Sequence, residues 1–410
     1  MTAADMLVAI TEGGETSSVL GTLAEATERG AHAFLLFNNP AELLAERLER
    51  SREAIRNPSV TVIDLFCGPM GLAGSTRMQA TTSEQLVAGA ALERMAGELL
   101  PDHAPRIDDF AAAYETMLAQ LATPEAVRAL AAAIEFECDT YRRSGKITYW
   151  AGDCLLDLFT DTTERSPTFM LPPFRMSDDT VSPQSWAFVK NPLLDTAAAW
   201  ARVLERPMRC LNWSVDDYRA MNAPEKLIRN PPQLNAAALL RFAIGNETPA
   251  LRTGGPADAG VLFTVSDGEE RYSTLSAAFD RLAATAAARR RLHVGSDNPG
   301  ADFFIRFALP ETPLKLMTHL AVKLVWNNIS TGTMVRFGRV SGNWMSWVSV
   351  SNKKLLDRGI RLLAELGGID YREACCRIFA AIEELDAMDW AGKERPSPVQ
   401  HALGRLLRQD

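Results

Sequence analysis

Residues 64–87, DLFCGPMGLAGSTRMQATTSEQLV, decide how this chain reads. They follow an apolar run, Val60 to Phe66, whose continuous hydrophobicity suits a buried parallel strand. A loop broken by Gly68, Pro69, Gly71 and Gly74 comes next, carrying Ser75, Thr76, Arg77, Thr81, Thr82 and Ser83. Leu86, Val87, Leu92 and Met95 then recur at helical spacing, and Thr81 with Glu84 has the pattern of a capping box at the helix start. A strand, a loop of glycines and hydroxyls and a helix N-terminus together suit an anion, because unpaired N–H groups and the positive end of the helix dipole converge there.

The preceding residues repeat the alternation. Met6–Ile10 reads as a buried strand, Ser17–Arg29 as a helix closed by Gly30, Ala33–Phe37 as a strand and Ala41–Ile55 as one charged amphipathic helix. Such alternation implies right-handed crossovers and a parallel sheet, hence an α/β protein. Ligands of these sheets collect at the carboxyl ends of the strands, where the Thr11–Thr16 and Gly68–Ser83 loops fall. The chain of 410 residues suits two domains with an appendage, and its net charge of -8 argues against nucleic acid or an anionic membrane as partner. No apolar run approaches the roughly 20 residues of a membrane span, and no leader precedes Leu7, so a cytoplasmic location is expected. The six cysteines have no metal-ligand spacing; Cys375 and Cys376 read as packing residues, and no cofactor is expected.

GPMGLAGSTRMQATTSEQLV resembles the G-P-E-x-x-x-G-S-T-R-[LM]-K-A-G-T signature of the sugar isomerase (SIS) fold, in the branch of N-acetylmuramic acid 6-phosphate etherases and the glucokinase regulatory protein. Leu7–Gly21, LVAITEGGETSSVLG, is similar to that branch's strand and S-G-R-T-P-type loop. Residues 323–356, KLVWNNISTGTMVRFGRVSGNWMSWVSVSNKKLL, resemble its K-L-V-L-N-x-x-S-T-G run. In a single-domain etherase the two signatures follow one another directly; here they stand far apart, at Arg77 and Lys323, as in the regulatory protein's tandem layout. The resemblance therefore implies a first SIS domain lacking its front half, with trailing helices, over 1–122. A second three-layer α/β/α SIS domain over 123–350 and a C-terminal helical cap over 351–410 complete it. A small-molecule sugar phosphate would lie among Thr11, Gly13, Gly14, Thr16, Ser75 and Thr76, with Lys323 supplying charge. The incomplete sheet leads us to expect a homodimer or pairing with an N-terminal half, and the tail could meet a protein partner.

The resemblance also bears on chemistry. Glu164–Phe169, ERSPTF, is similar to the etherases' E-C-P-P-T-F, whose glutamate is an acid/base, which makes Glu164 the catalytic candidate. Against an active lyase, the second domain's phosphate loop is replaced by Gly152-Asp153-Cys154, and Asp153 would repel a phosphate. Three functions follow: sugar-phosphate binding, lactate-releasing etherase, or regulation through the tail. Among the remaining residues, Glu135, Glu137 and Asp139 read as a solvated face of the helix over 124–143. Ser266–Glu270 forms an acidic loop, and His319 has a core or surface role. Gln85 stands where the first domain would carry its lysine, and Trp326, Phe337, Trp344 and Trp347 read as packing between domains. Residues 171–260 give short helices at Leu193–Leu204 and Leu234–Ala243 and little else.

Overall fold

Apolar strands alternating with helices assemble two parallel sheets. In the computed structural model the described residues are 1–105, 107–247, 255–265, 268–308, 310–390 and 394–408. Ser266–Asp267, part of the acidic loop read above, lie outside them. The chain divides into two compact units: Met1–Thr116 with Leu309–Leu320 and Arg339–Asp410, and Met117–Ala308 with Ala321–Gly338.

The first unit holds β1 (Met6–Ile10), α1 (Ser17–Glu28), β2 (His32–Phe37), α2 (Ala41–Arg47), α3 (Glu49–Ile55), β3 (Val60–Asp64) and α4 (Gln79–Leu99). The three strands are parallel in the order β1-β2-β3, with Ala9 beside Leu35 and Leu35 beside Val62. Leu7, Ala9, Ala33, Leu35 and Phe37 face one way and pack with Leu20 and Leu23 of α1, Leu44 of α2 and Ala54 of α3. The opposite face is open along β1, where Met6, Val8 and Ile10 are 59%, 43% and 40% exposed. The expected buried strand is thus buried on one side only, as side-chain alternation on a one-sided sheet requires. At the other edge β3 is half-exposed. It stops at Asp64, whose carboxylate accepts the N–H groups of Ala41 at 3.0 Å and Phe66 at 2.9 Å.

Two further local readings change. The single helix expected over 41–55 breaks at Leu48, which is extended, and Arg52 donates to the carbonyls of Ala45 and Glu46 that the break releases. The helix after the Gly-rich loop begins at Gln79, without a side-chain cap. Thr81 lies inside it and donates to the Arg77 carbonyl, while Glu84 is buried and accepts from Asn38 at 2.9 Å, so the capping box does not form.

α5 (Phe110–Leu121), on which the division between units falls, leads to α6 (Pro124–Arg142), with Pro124 in its first turn. The second unit continues with β4 (Ile147–Ala151), α7 (Leu155–Phe169), β5 (Ala187–Lys190) and α8 (Thr196–Leu204). Next come α9 (Val215–Ala220), α10 (Glu225–Arg229), α11 (Ala236–Leu240), β6 (Ala259–Val265), α12 (Glu269–Leu282), β7 (Ala288–Gly295) and β8 (Phe303–Arg306). Its sheet is wholly parallel, in the order β5-β4-β6-β7-β8. Crossovers leave β4 in both directions, so right-handedness places helices on both faces. Trp150 packs on one face with Leu275 and Phe279 of α12, whereas Tyr149 turns to the other. There its ring meets Trp326 of α13 (Leu316–Arg336) edge-on at 4.4 Å. Trp326 and Phe337 therefore pack inside this unit, not between domains; Phe337 lies against Tyr141 and Trp186.

In the first unit, β9 (Val340–Ser341) and β10 (Trp344–Met345) make a short hairpin. α14 (Lys353–Gly367), α15 (Tyr371–Asp386) and α16 (Pro398–Leu406) then form the helical tail. Asp370 caps α15 by accepting the Glu373 N–H at 2.8 Å. On α15, Cys375 is half-buried and Cys376 exposed, so only the former can serve packing. No described helix is long and apolar enough to cross a membrane.

Candidate functional site

The Thr11–Thr16 loop leaves the carboxyl end of β1 and enters α1. Thr11 is buried, and its hydroxyl donates to the Thr16 hydroxyl at 2.8 Å. Its carbonyl accepts the Gly14 N–H at 2.8 Å. Gly14 sits at φ +72, and a Cβ there would lie 2.5 Å from a Leu44 methyl and 3.3 Å from Phe37, so no other residue fits without a shift. Ser51 and Asn39 hold the carbonyls of Gly14 and Gly13 at 2.8 and 3.0 Å, fixing the loop from outside. Thr16 is the residue ahead of α1, yet its hydroxyl caps no helical N–H. The first-turn amides of a 12-residue helix are left facing outward from this loop.

The second loop is held by Gln79, which accepts from the Gly71 N–H and donates to the Pro69 carbonyl. Ala73 is stitched to the β9–β10 hairpin, donating to Asn343 at 2.7 Å and accepting from Met345 at 3.1 Å. Gly74 follows at φ +88. Ser75 is 5% exposed, and its hydroxyl has no hydrogen-bond partner among the described residues. The carbonyl of Thr76 accepts the Thr81 N–H at 3.2 Å. Both loops reach a cavity of about 700 Å³, through Glu15 from the first and Ala73 and Gly74 from the second. Its far wall is α14, from which Lys354 pairs with Glu15 at 3.1 Å and Arg358 donates to the Gly74 carbonyl at 3.3 Å. Sequence reading missed these cations. Their spacing along the tail was visible, but nothing in it indicated the Gly-rich loop opposite.

Glu164 and Lys323 belong to the second unit. Glu164 is half-buried within α7, a helix that runs on through Pro167, so the ERSPTF segment is helical. Lys323 donates to Asn327 at 3.1 Å, and Asn327 donates to Asp161 at 3.1 Å. Asp161 also accepts from Ser330 at 2.9 Å and pairs with Arg165, which reaches Glu137 at 2.9 Å. Glu137 in turn accepts from the Tyr149 hydroxyl. This corrects the solvated-face reading: Glu137 is 1% exposed, and only Glu135 and Asp139 make surface pairs, with Arg336 and Arg142. Burial, then the Glu137 carboxylate, pushes the Tyr149 phenol well above its ordinary range. Burial works against the Arg165 charge, but Glu137 and Asp161 outweigh it and hold the guanidinium protonated.

The carboxyl end of the second sheet is filled from within. Asp153 follows β4 and meets Arg271 at 3.0 Å and Arg202 at 3.2 Å. Partial burial acts to raise its pKa, and hydrogen bonds from Arg271 and Arg202 overcome that and lower it. Asp153 is thus a neutralised carboxylate, not the bare repulsive charge its sequence suggests. Nearby strand ends bring Thr264 within 2.8 Å of His293 Nδ1, with Phe304 stacked on the imidazole. Burial lowers the His293 pKa to about 4.

Likeness to known proteins is partial. No family model matches the chain. A fifth of the chain is etherase-like. It is 40% identical over 83 residues to the N-acetylmuramic acid 6-phosphate etherase of Synechococcus elongatus, covering 20% of this chain and 27% of that protein. The Gloeobacter violaceus etherase is 37% identical over 98 residues, 23% of this chain and 32% of its own. The chain thus spans about a third or less of the curated relatives' length. Among solved structures, a putative phosphosugar isomerase from Clostridium difficile aligns with a TM-score of 0.40 at 11% identity, covering 81% of this chain and 71% of that one. Tagatose-6-phosphate ketose/aldose isomerase from Escherichia coli gives 0.36 at 9% identity, over 82% and 70%. Likeness at that level carries no functional assignment.

Proposed function

We propose that the chain is a sugar-phosphate-binding protein of the tandem SIS type. The phosphate lies against Thr11, Gly13, Gly14, Thr16, Ser75 and Thr76, and Lys323 supplies charge. The observation that carries the reading is Ser75: a buried hydroxyl without a protein partner is costly unless a ligand or water completes it. The uncapped start of α1 after the rigid Thr11–Thr16 loop supports it, since the outward amides suit an anion. The test is phosphorus NMR of the full chain with N-acetylmuramic acid 6-phosphate, fructose 6-phosphate and glucosamine 6-phosphate in turn. Saturable broadening is expected with at least one, weakened several-fold to tenfold by Ser75→Ala or Lys323→Ala. Equal affinity in wild type and Lys323→Ala would remove that residue from the site.

A second reading is favoured by the etherase-like fifth of the chain: Glu164 acting as acid/base in releasing lactate from N-acetylmuramic acid 6-phosphate. The same NMR experiment decides it. A new phosphate resonance accompanied by lactate, abolished in Glu164→Gln, would make the protein a lyase.

A further inference from the structure

The cavity between the Gly74 turn and α14 contains charges that the function above does not use. Lys354, Arg358 and Arg361 follow one another at i, i+4 and i+7, so one face of α14 presents three cations to it. Two are matched by carboxylates: Lys354 by Glu15 at 3.1 Å, and Arg361 by Asp357 at 2.8 Å. Asp357 also accepts from the Tyr371 hydroxyl at 2.8 Å, which commits it away from its neighbour Arg358. Among the described residues Arg358 then meets only a backbone carbonyl, that of Gly74. A half-buried guanidinium with five donors and one neutral acceptor retains most of its capacity to bind an anion. Beside it stands a wall of different character, built from the half-buried Trp344 with Met345 and Leu362. A volume of about 700 Å³ lies within the range that holds small ligands.

We infer that this cavity is a second ligand site, taking a phosphomonoester carried on a ring-sized body such as a phosphorylated sugar. The phosphate oxygens pair with Arg358 and draw Lys354 away from Glu15, while the ring lies along Trp344. Neither cation belongs to the site proposed above, so this inference goes beyond that reading. The two adjoin in the chain: Glu15 precedes Thr16, and Gly74 precedes Ser75. Occupancy of the cavity therefore bears on both loops of the first unit and gives a route for one phosphorylated ligand to modulate another.

The test is a titration of the full chain with glucose 6-phosphate, followed by tryptophan fluorescence and calorimetry, with glucose as the uncharged control. The expected result is saturable binding of glucose 6-phosphate and none of glucose, with Arg358→Gln weakening it roughly tenfold or more and Arg358→Lys weakening it less. Trp344→Phe should remove most of the fluorescence response. Circular dichroism and melting temperature confirm that each variant is folded, and the lysine variant keeps the charge if the glutamine variant is not. Equal affinity in wild type and Arg358→Gln, equal binding of glucose, or no saturable binding by wild type would overturn the inference. Loss of binding in Ser75→Ala with Arg358→Gln unaffected overturns this site alone and leaves the first reading standing.

Discussion

The two sheets end differently at the edge where an α/β protein ordinarily meets its ligand. After β1 of the first unit the loop offers hydroxyls and an uncapped helix start, and its Glu15 pairs outward with Lys354 of α14. After β4 of the second unit the loop carries Asp153, clasped by Arg271 and Arg202. At the same topological position one unit presents the Thr11 and Thr16 hydroxyls and the other a carboxylate held by two arginines. The interiors differ as well. The first sheet is packed on its covered face by aliphatic and aromatic side chains, whereas the second buries a charge network around Arg165. Two parallel sheets thus end in two chemistries: hydroxyls and an uncapped helix start in one unit, an ion-paired carboxylate in the other.

The largest effect that separates the units should come from Arg165. Arg165→Ala leaves Glu137 and Asp161 buried without their counter-charge, and should cost about 3–5 kcal/mol in urea denaturation. A loss below about 1 kcal/mol would mean that the network contributes little beyond what Tyr149, Asn327 and Ser330 provide. The next effect is one of pH. The folded-state pKa of His293 lies near 4, below the ordinary 6.5, so the unfolded chain takes up its proton first as pH falls. Its contribution to stability is complete above pH 6.5 and declines between 6.5 and 4, with a slope of at most about 1.4 kcal/mol per pH unit. His293→Gln should flatten that part of a melting-temperature profile, and an unchanged profile would locate the acid sensitivity elsewhere.

Asp153 gives the smallest and most direct comparison. Its pKa is lowered, so its contribution is present above the unfolded value of 3.8 and is lost as pH falls through the folded value. Both arginines are substantially exposed, which limits the pairs to about 1 kcal/mol at neutral pH. Asp153→Asn should cost that much and release the two guanidinium groups. Inorganic phosphate should then raise the melting temperature of the variant more than that of wild type. An equal response in both would mean that the carboxylate is not standing where an anion would.

Much of the fold was readable because it depends on local pattern. The strand–helix alternation through residue 66 is carried by neighbours in sequence. β5 was not readable: AFVK is four residues long and buried on both faces, so it lacks alternation and length. Capping at Thr81 was misread because Glu84, which could have turned back on the helix start, is drawn to Asn38 across 46 residues. Glu137 looked solvated because residues two apart on a helix usually point away from one another, and its partner Arg165 lies on a different helix. In the site, the Thr11–Thr16 and Gly68–Ser83 loops were legible as glycine and hydroxyl clusters at strand ends. The cations opposite Gly74 were not.

By itself the sequence determined the α/β class, most of the strands and helices of the first unit, and which loops gather glycines and hydroxyls at strand ends. These follow from periodicity, turn chemistry and the handedness of crossovers, each acting over a few residues to a few tens. Only the tertiary structure decided which charges are neutralised and which hydroxyls are left without a partner. Asp153, Glu137 and Asp357 are all carboxylates in the sequence, yet each is committed to an arginine, and the first two meet arginines distant in the chain. Desolvation makes that pairing decisive, because the worth of a charge or a hydroxyl depends on what it faces once water has left.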